Sequence, residues 1–241
     1  MEDMSLEDHC SLTIAIDGPA GSGKSTVARA LADSLGIFYL DTGSLYRTWT
    51  WLVLHLGISP TSEDQVLDAL QAHSIDLQIS RDRELIIGID GRRMGPELRS
   101  PEVTTCVPQL AVHSRVREII TDWQRQLAVG RKMVVDGRDI GTVVFPEADV
   151  KIFLTADVRE RAERRLQEMN RHGHMSSFSE VKKALVERDL VDSTRSISPL
   201  RVADGAIVID TTNRDVKTVV DTILIEIKML RKRTVRDCLD F

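Results

Sequence analysis

Five short apolar runs with little polar alternation recur along the chain. They cover 12–16, 37–40, 133–135, 150–154 and 206–209. Continuous apolar runs of this length are typical of strands that are buried on both faces of a sheet. The pattern therefore predicts a sheet that is covered by other elements on both sides.

Helical periodicity, with apolar residues three or four positions apart, fills most segments between these runs. The predicted helices are one after Lys24, then 44–56, a region after Glu102 running through Trp123, 158–169, 180–190 and 216–230. Strands that alternate with helices are typical of a doubly wound parallel sheet. The predicted fold class is therefore α/β, and the tryptophans, which have apolar neighbours, are predicted to pack in its core.

One stretch follows a different pattern. Residues 75–79 and 85–90 alternate between apolar and polar positions, and a charged turn at 81–84 separates them. This pattern predicts a small exposed β-hairpin, inserted at about 74–98. Because no linker or repeat marks a domain boundary, we expect one domain over 12–241, preceded by a flexible tail at 1–11.

Composition narrows the possible classes of partner. The chain has 241 residues, 42% of them hydrophobic, and a net charge of -5, so it lacks the overall basic field of a nucleic-acid-binding protein. No run is long enough to span a membrane, and the first ten residues are acidic, unlike a secretory signal. The three cysteines, Cys10, Cys106 and Cys238, show no metal spacing. These features predict a cytoplasmic protein that binds neither nucleic acid nor a membrane.

Residues 18–25 match the phosphate-loop pattern G-x-x-x-x-G-K-S between a predicted strand and a predicted helix. In such loops the backbone N–H groups surround phosphate oxygens, the lysine binds the β and γ phosphates, and the serine hydroxyl binds Mg²⁺. A glycine turn that only caps a helix is the alternative, and the strand–loop–helix context disfavours it. The predicted ATP-binding residues are Gly18, Pro19, Ala20, Gly21, Ser22, Gly23, Lys24, Ser25 and Thr26.

A second polar cluster, Asp136-Gly-Arg138-Asp139, directly follows the apolar run 133–135. Open α/β sheets bind ligands at the carboxyl ends of their strands. Arg138 can bind an acceptor phosphate, Asp139 can accept a hydrogen bond from an exocyclic amine, and Asp136 can hold water around Mg²⁺. The cluster predicts an acceptor site, and an acidic turn without a ligand remains the alternative.

Two further sets of charged residues lie at helical spacing. The first is Arg161, Arg164 and Arg165, and the second is Arg188, Asp192 and Arg195. The spacing places each set on one helix face, where the first set can close over phosphates as a lid. For the second set, a surface helix with an internal ion pair is the alternative. Two arginine sets after a phosphate loop favour phosphoryl transfer.

The segment 41–47 also follows a predicted strand and opens a helix, with Thr42 or Ser44 as the expected N-cap. Arg47 lies one turn inside this helix. It can point back towards the ligand crevice or outwards into solvent. The segment therefore adds Arg47 to the candidate binding residues.

These motifs together resemble the bacterial cytidylate kinase family, nucleoside monophosphate kinases that act on CMP and dCMP. The resemblance covers about 12–212 and rests on five segments in order: IDGPAGSGKST at 16–26, LDTGSLYR at 40–47, VVDGRDIGTVVFPEADVKIFL at 134–154, RAERR at 161–165 and RDLVDSTRSISPL at 188–200. It implies a P-loop kinase core with a five-stranded parallel sheet. It also implies a lid at about 158–195 and a monophosphate-binding excursion at about 42–130 that contains the small β insertion.

The resemblance implies a role for each matching residue. The acceptor phosphate is assigned to Arg47, Arg138 and Arg195, the cytosine to Thr42, Arg117 and Asp139, and the sugar to Arg188 and Asp192. The implied catalytic residues are Lys24, Arg138, Arg161, Arg164 and Arg165, and Ser25 and Asp136 are the implied metal residues. Pro108 is a departure, because it stands where the family has a sugar-contacting serine and offers neither a hydroxyl nor an N–H.

The sequence therefore predicts a monomeric, Mg²⁺-dependent enzyme that transfers phosphate from ATP to CMP and dCMP. Two alternatives stay open. One is a kinase of the same fold that acts on AMP, UMP, shikimate or dephospho-coenzyme A. The other is a nucleotide-binding regulator whose arginines bind a protein or RNA.

Overall fold

The structure is a computed structural model that describes residues 12–171, 173 and 175–237, with only the backbone for 230–237. The predicted tail at 1–11 lies outside the described residues. The elements follow in the order β1 (Leu12–Asp17), α1 (Lys24–Leu35), β2 (Phe38–Asp41), α2 (Thr42–His55), α3 (Glu63–Ala72), β3 (Ile75–Ile79), β4 (Leu85–Ile89), β5 (Arg92–Arg93), a 3₁₀ turn (Pro96–Arg99), α4 (Pro101–Leu110), α5 (Ser114–Ala128), β6 (Lys132–Asp136), a π-helical turn (Ile140–Val144), β7 (Val150–Thr155), α6 (Val158–Arg171), α7 (Phe178–Thr194), β8 (Ile207–Asp210) and α8 (Val216–Asp237).

Five parallel strands form the central sheet, in the order β2-β6-β1-β7-β8. Each predicted strand is present, with both bounds within one residue of the prediction. In the register of the sheet, Asp136 lies beside Ile16 on one neighbour and beside Asp41 on the other. The carboxyl ends of three strands therefore meet at one edge, and the predicted α/β fold with a parallel sheet is confirmed.

Helix α1 packs on one face of this sheet. Its buried residues Val27, Ala28 and Leu31 lie three or four positions apart, so they form a single apolar stripe. They join residues of α8 and of all five strands in one hydrophobic core. The helix ends at Gly36, which adopts φ 66°, a left-handed conformation that glycine tolerates without steric cost.

A second hydrophobic core lies in the segment between β2 and β6, among helices α2 to α5. Trp49 is fully buried there, and its ring centroid lies 5.2 Å from that of Trp123, as the predicted packing role requires. Helix α3 was not predicted, although Glu63 and Asp64 in its first turn are a usual start signal. The region after Glu102 forms two helices instead of one, and Pro108 lies inside the first.

The predicted hairpin at 74–98 is a three-stranded antiparallel sheet of β3, β4 and β5. Its expected exposure is wrong for one face, because Ile87 and Ile89 are buried against the second core. The tip of the hairpin also contacts α1: Arg83 donates to the carbonyl oxygen of Gly36 at 2.8 Å. Glu84 forms an ion pair of 3.2 Å with Arg29 of the same helix.

In the described part of the chain, no helix has both the length and the apolarity that a bilayer span requires.

Candidate active site

The phosphate loop joins β1 to α1 at the carboxyl edge of the sheet. A side chain at Gly18 would collide with the carbonyl oxygen of Leu154, and Gly23 adopts φ 88° just before the helix, so both positions require glycine. Lys24 is buried, and its Nζ donates to the carbonyl oxygen of Pro19 at 2.7 Å. The lysine charge is therefore held inside the loop.

Both arginines and carboxylates lie near Lys24. Burial lowers the pKa of Lys24 well below its usual value, the nearby Arg138 lowers it further, and Asp136 opposes both effects. A buried cation gains stability when an anion approaches. The loop is therefore electrostatically prepared for phosphate.

Asp136 connects the loop to the second predicted cluster. Its two carboxylate oxygens accept hydrogen bonds from the Ser25 hydroxyl at 2.9 Å and from the Tyr39 hydroxyl at 2.8 Å. Burial raises the pKa of Asp136, and the negative charge of Asp41 raises it further. A hydroxyl and a carboxylate are oxygen ligands that suit Mg²⁺, which usually takes only one or two protein ligands and completes its shell with phosphates and water. Ser25 and Asp136 fit that donor set.

Asp139 lies in a buried ion pair with Arg117, whose guanidinium also stands over the Tyr46 ring at 5.5 Å. Arg195 approaches the other oxygen of Asp139 to 3.9 Å. Three residues predicted from distant parts of the sequence are therefore brought together.

A second group of ion pairs surrounds Asp192, next to the group around Asp139. The carboxylate of Asp192 accepts a hydrogen bond from Nε of Arg138 at 2.9 Å, and Nε of Arg188 lies 4.0 Å away. Arg195 approaches the opposite oxygen to 3.9 Å. Burial would raise the pKa of Asp192, but Arg138 and Arg188 outweigh it and lower the pKa. The second arginine set therefore belongs to the ion pairs around Asp139 and Asp192 and does not form an isolated surface pair.

Positive charge exceeds what these carboxylates neutralise. Burial lowers the pKa of Arg188 to about 10, and the nearby Arg138 adds to the effect. Among the described residues, four arginines have a buried guanidinium nitrogen without a hydrogen-bond partner: Arg47, Arg117, Arg188 and Arg195. Buried donors without acceptors are costly, so the cluster is prepared to bind an anion with several acceptor oxygens.

The start of α2 corrects one expectation. The N-cap is Asp41, whose carboxylate accepts from the backbone N–H of Ser44 at 3.1 Å, and neither Thr42 nor Ser44 takes that position. Thr42 instead donates its hydroxyl to the carbonyl oxygen of Asp136 at 2.7 Å. An aspartate is among the preferred N-cap residues, and here it also binds two arginines.

Arg47 and Arg99 both donate to the same carboxylate oxygen of Asp41, at 2.6 and 2.9 Å. Burial would raise the pKa of Asp41, but these two arginines outweigh it and lower the pKa. Arg47 is therefore held at the carboxyl end of β2 and does not extend into solvent. The sequence pattern does not indicate a role for Arg99, because Arg99 lies on the 3₁₀ turn and is brought to Asp41 only by tertiary packing.

The three arginines that were predicted to form a lid have different surroundings. Arg161 is buried, donates to the carbonyl oxygen of Ala20 at 3.1 Å and pairs with Asp189 at 2.6 Å. Arg164 donates to Thr211, close to Gly23 of the loop. The remaining member, Arg165, pairs with a glutamate one turn along α6. The set therefore does not form one open face, and Arg161 fixes α6 against the phosphate loop.

Asp17, the last residue of β1, is a buried carboxylate that the sequence analysis did not single out. It accepts hydrogen bonds from the backbone N–H groups of Ile140 and Gly141, at 2.9 and 2.8 Å. Burial raises the pKa of Asp17 from 3.8 to about 6, although these two hydrogen bonds oppose the shift. Asp17 therefore titrates in an accessible pH range.

This raised pKa predicts how stability changes with pH. Between about pH 4 and 6 the folded state binds more protons at Asp17 than the unfolded state, so this contribution to stability falls as pH rises. Asp17→Asn cannot titrate. We expect the unfolding free energy of the wild type, minus that of the variant, to fall from pH 4 to 6.5 by up to roughly 3 kcal/mol. Urea denaturation across this range measures it, and parallel stability curves would contradict the assignment.

Comparison with known proteins agrees with this geometry. A family model described as cytidylate kinase matches residues 14–229. Cytidylate kinase of Oceanobacillus iheyensis is 44% identical over 216 residues, which cover 90% of this chain and 94% of that protein. Cytidylate kinase of Desulfitobacterium hafniense is 45% identical over 214 residues, with 89% and 91% covered.

A solved structure of an uncharacterized protein from Eubacterium ventriosum ATCC 27560 shares the fold, with a TM-score of 0.51 and 14% identity. The match covers 90% of this chain and 99% of that chain. At this identity the structure supports the architecture alone. The family model spans 14–229, a range that contains the phosphate loop, 136–139 and both arginine sets, and the two relatives are 44% and 45% identical over about 90% of the chain. The chain belongs to the cytidylate kinase family.

Proposed function

We propose that this protein transfers the γ-phosphoryl group of ATP to CMP and dCMP, giving ADP and the corresponding diphosphate. The observation that carries the proposal is the set of buried arginine nitrogens without acceptors beside the phosphate loop. A second phosphate-bearing ligand would supply those acceptors. A protein that only bound ATP would have no need for this second set of cations.

The donor half of the site consists of the phosphate loop and the neighbouring oxygen ligands. The backbone of 18–23 and the charge of Lys24 would bind the ATP phosphates. Ser25 would hold Mg²⁺ directly and Asp136 would hold it through water, consistent with the 2.9 Å hydrogen bond between them. When bound, Mg²⁺ would supply positive charge that offsets the negative charge of the ATP phosphates.

The acceptor half would use the residues that surround Asp139 and Asp192. Arg47, Arg138 and Arg195 would bind the acceptor phosphate, and Arg188 with Asp192 would contact the sugar. Thr42, Arg117 and Asp139 would bind the base. An ionised carboxylate accepts a hydrogen bond from the amine of cytosine but repels the carbonyl that uracil carries at the same position. Asp139 pairs with Arg117 and lies 3.9 Å from Arg195.

The reaction itself requires little covalent chemistry from the protein. The second pKa of a phosphate monoester is about 6, so the acceptor phosphate is already anionic near neutral pH and needs no general base. The chain would supply position, positive charge and exclusion of water. Arg164 lies near Gly23 and would approach the transferring group, together with Arg165. Arg161, which is held between the carbonyl oxygen of Ala20 and Asp189, would add positive charge beside the phosphate loop.

An acceptor panel tests the proposal and its first alternative. ADP release should be fastest with CMP or dCMP, slower with UMP and slowest with AMP, because the base site is built around an acceptor carboxylate. Turnover of CMP no faster than that of AMP would contradict the substrate assignment. ATP binding without acceptor-dependent ADP release would favour the nucleotide-binding regulator. The comparison of CMP with dCMP also measures the preference for ribose or deoxyribose, and repeating it with Pro108→Ser would measure the effect of Pro108, where the family has a sugar-contacting serine.

A further inference from the structure

The carboxylate of Asp17 links the donor and acceptor halves of the site. It lies at the end of β1, directly before Gly18, where the phosphate loop begins. Its two oxygens each accept one backbone N–H, from Ile140 at 2.9 Å and from Gly141 at 2.8 Å. Asp17, Ile140 and Gly141 are all buried, so solvent does not replace these contacts.

The two N–H groups belong to the start of the π-helical turn Ile140–Val144. The first N–H groups of any helical turn have no acceptor within that turn, and they are costly when buried without one. An ionised carboxylate has two acceptor oxygens and no donor, so it satisfies both groups at once. An asparagine would satisfy one of them and would direct its own N–H₂ group at the other.

The same loop is attached to β1 at its other end. The backbone N–H of Gly137 donates to the carbonyl oxygen of Ile16 at 3.0 Å. Arg138 and Asp139 therefore lie between two attachment points on the strand that leads into the phosphate loop. Asp139 also caps the π-helical turn, since its carbonyl oxygen accepts from the N–H groups of Val143 at 2.9 Å and Val144 at 3.1 Å.

We propose that Asp17 is a positioning residue that holds Arg138 and Asp139 at a fixed place relative to the phosphate loop. The inference rests on the proposed function, because it assigns acceptor binding to those two residues. Misplacement of a binding group by about 1 Å can reduce a rate about 100-fold. Loss of this attachment should therefore weaken acceptor binding and base discrimination, while the loop residues that bind ATP keep their own backbone.

Asp17→Asn tests the inference. We expect KM for CMP to rise about tenfold or more, and the preference for CMP over UMP in kcat/KM to fall by a similar factor. KM for ATP should change by less than about threefold. The readouts are steady-state kinetics with each substrate varied in turn, together with the thermal unfolding temperature. A role in folding alone would lower the unfolding temperature without separating the two KM values.

A matched control is a carboxylate that contacts the opposite end of β1. The exposed Asp149 also accepts a backbone N–H, from Thr13 at 2.8 Å, and Asp149→Asn should leave both KM values and the base preference unchanged. If Asp17→Asn does not fold, Asp17→Ser, which introduces no opposing amide, should show the same rise in KM for CMP.

Two results would overturn the inference. One is a folded Asp17 variant whose KM for CMP and preference for CMP over UMP are unchanged. The other is a variant whose KM for CMP and KM for ATP change by the same factor. Wild-type protein that turns over AMP as well as CMP would instead contradict the proposed function, so the two failures are distinguishable.

Discussion

Lys24→Met is expected to abolish phosphoryl transfer to every acceptor. The side chain of Lys24 is buried in the phosphate loop, and its only described hydrogen bonds are to the loop itself, to Pro19 and Ser22. Its charge is therefore available to the phosphates of ATP when they displace those contacts. Removal of one preorganised donor to a developing charge typically costs about 10²–10³ in kcat. Methionine keeps the approximate length of the side chain and removes only the charge.

The measurement is kcat for CMP, dCMP and UMP, because a donor-side defect must lower all three together. Lys132→Met is the matched control: Lys132 is exposed at the start of β6, the opposite edge of the sheet from the phosphate loop. It should retain wild-type rates. If Lys24→Met retained turnover within about tenfold of the wild type, the proposed role of the loop in transfer would be wrong.

Asp139→Asn is expected to change which base the protein accepts. The isosteric amide removes the negative charge that Arg117 and Arg195 surround, and its N–H₂ group can donate to the carbonyl of uracil. We expect kcat/KM for CMP to fall about 100-fold and kcat/KM for UMP to fall much less. The ratio of the two is the decisive quantity, because it cancels any general loss of activity.

The control for this change is Asp122→Asn, an exposed carboxylate on α5, the helix that carries Arg117. In this control variant, the ratio of kcat/KM for CMP to kcat/KM for UMP should equal that of the wild type. Breaking a buried ion pair can cost about 3–5 kcal/mol of stability, so thermal unfolding must show that Asp139→Asn is folded at the assay temperature. A folded variant with an unchanged ratio would remove Asp139 from base recognition.

The sequence was sufficient for the parts of the fold that depend on local patterns. The five strands were predicted to within one residue, because each is a buried apolar run bounded by polar residues. The phosphate loop and 136–139 were located because each directly follows such a strand, where parallel sheets bind ligands. In these places the local pattern and the tertiary structure require the same residues.

The sequence was insufficient where a role depends on partners distant along the chain. Arg99 and Asp17 have no diagnostic spacing, and their partners lie 58 and more than 120 residues away. Arg161, Arg164 and Arg165 show the same limitation of sequence patterns. Helical spacing placed Arg161 on a face with Arg164, but it could not show that Arg161 is buried against the backbone of the phosphate loop.

The contact between the hairpin tip and α1 has a mechanical consequence. Arg83 and Glu84 connect the segment that carries the acceptor-side helices to the far end of the helix that follows the phosphate loop. Any rotation of that segment relative to α1 must either keep the contacts of Arg83 and Glu84 as its axis or break them. Exposed contacts of this kind contribute about 1 kcal/mol or less each, which is close to thermal energy. The hairpin contacts would therefore add only a small free-energy cost to a movement of this segment relative to α1.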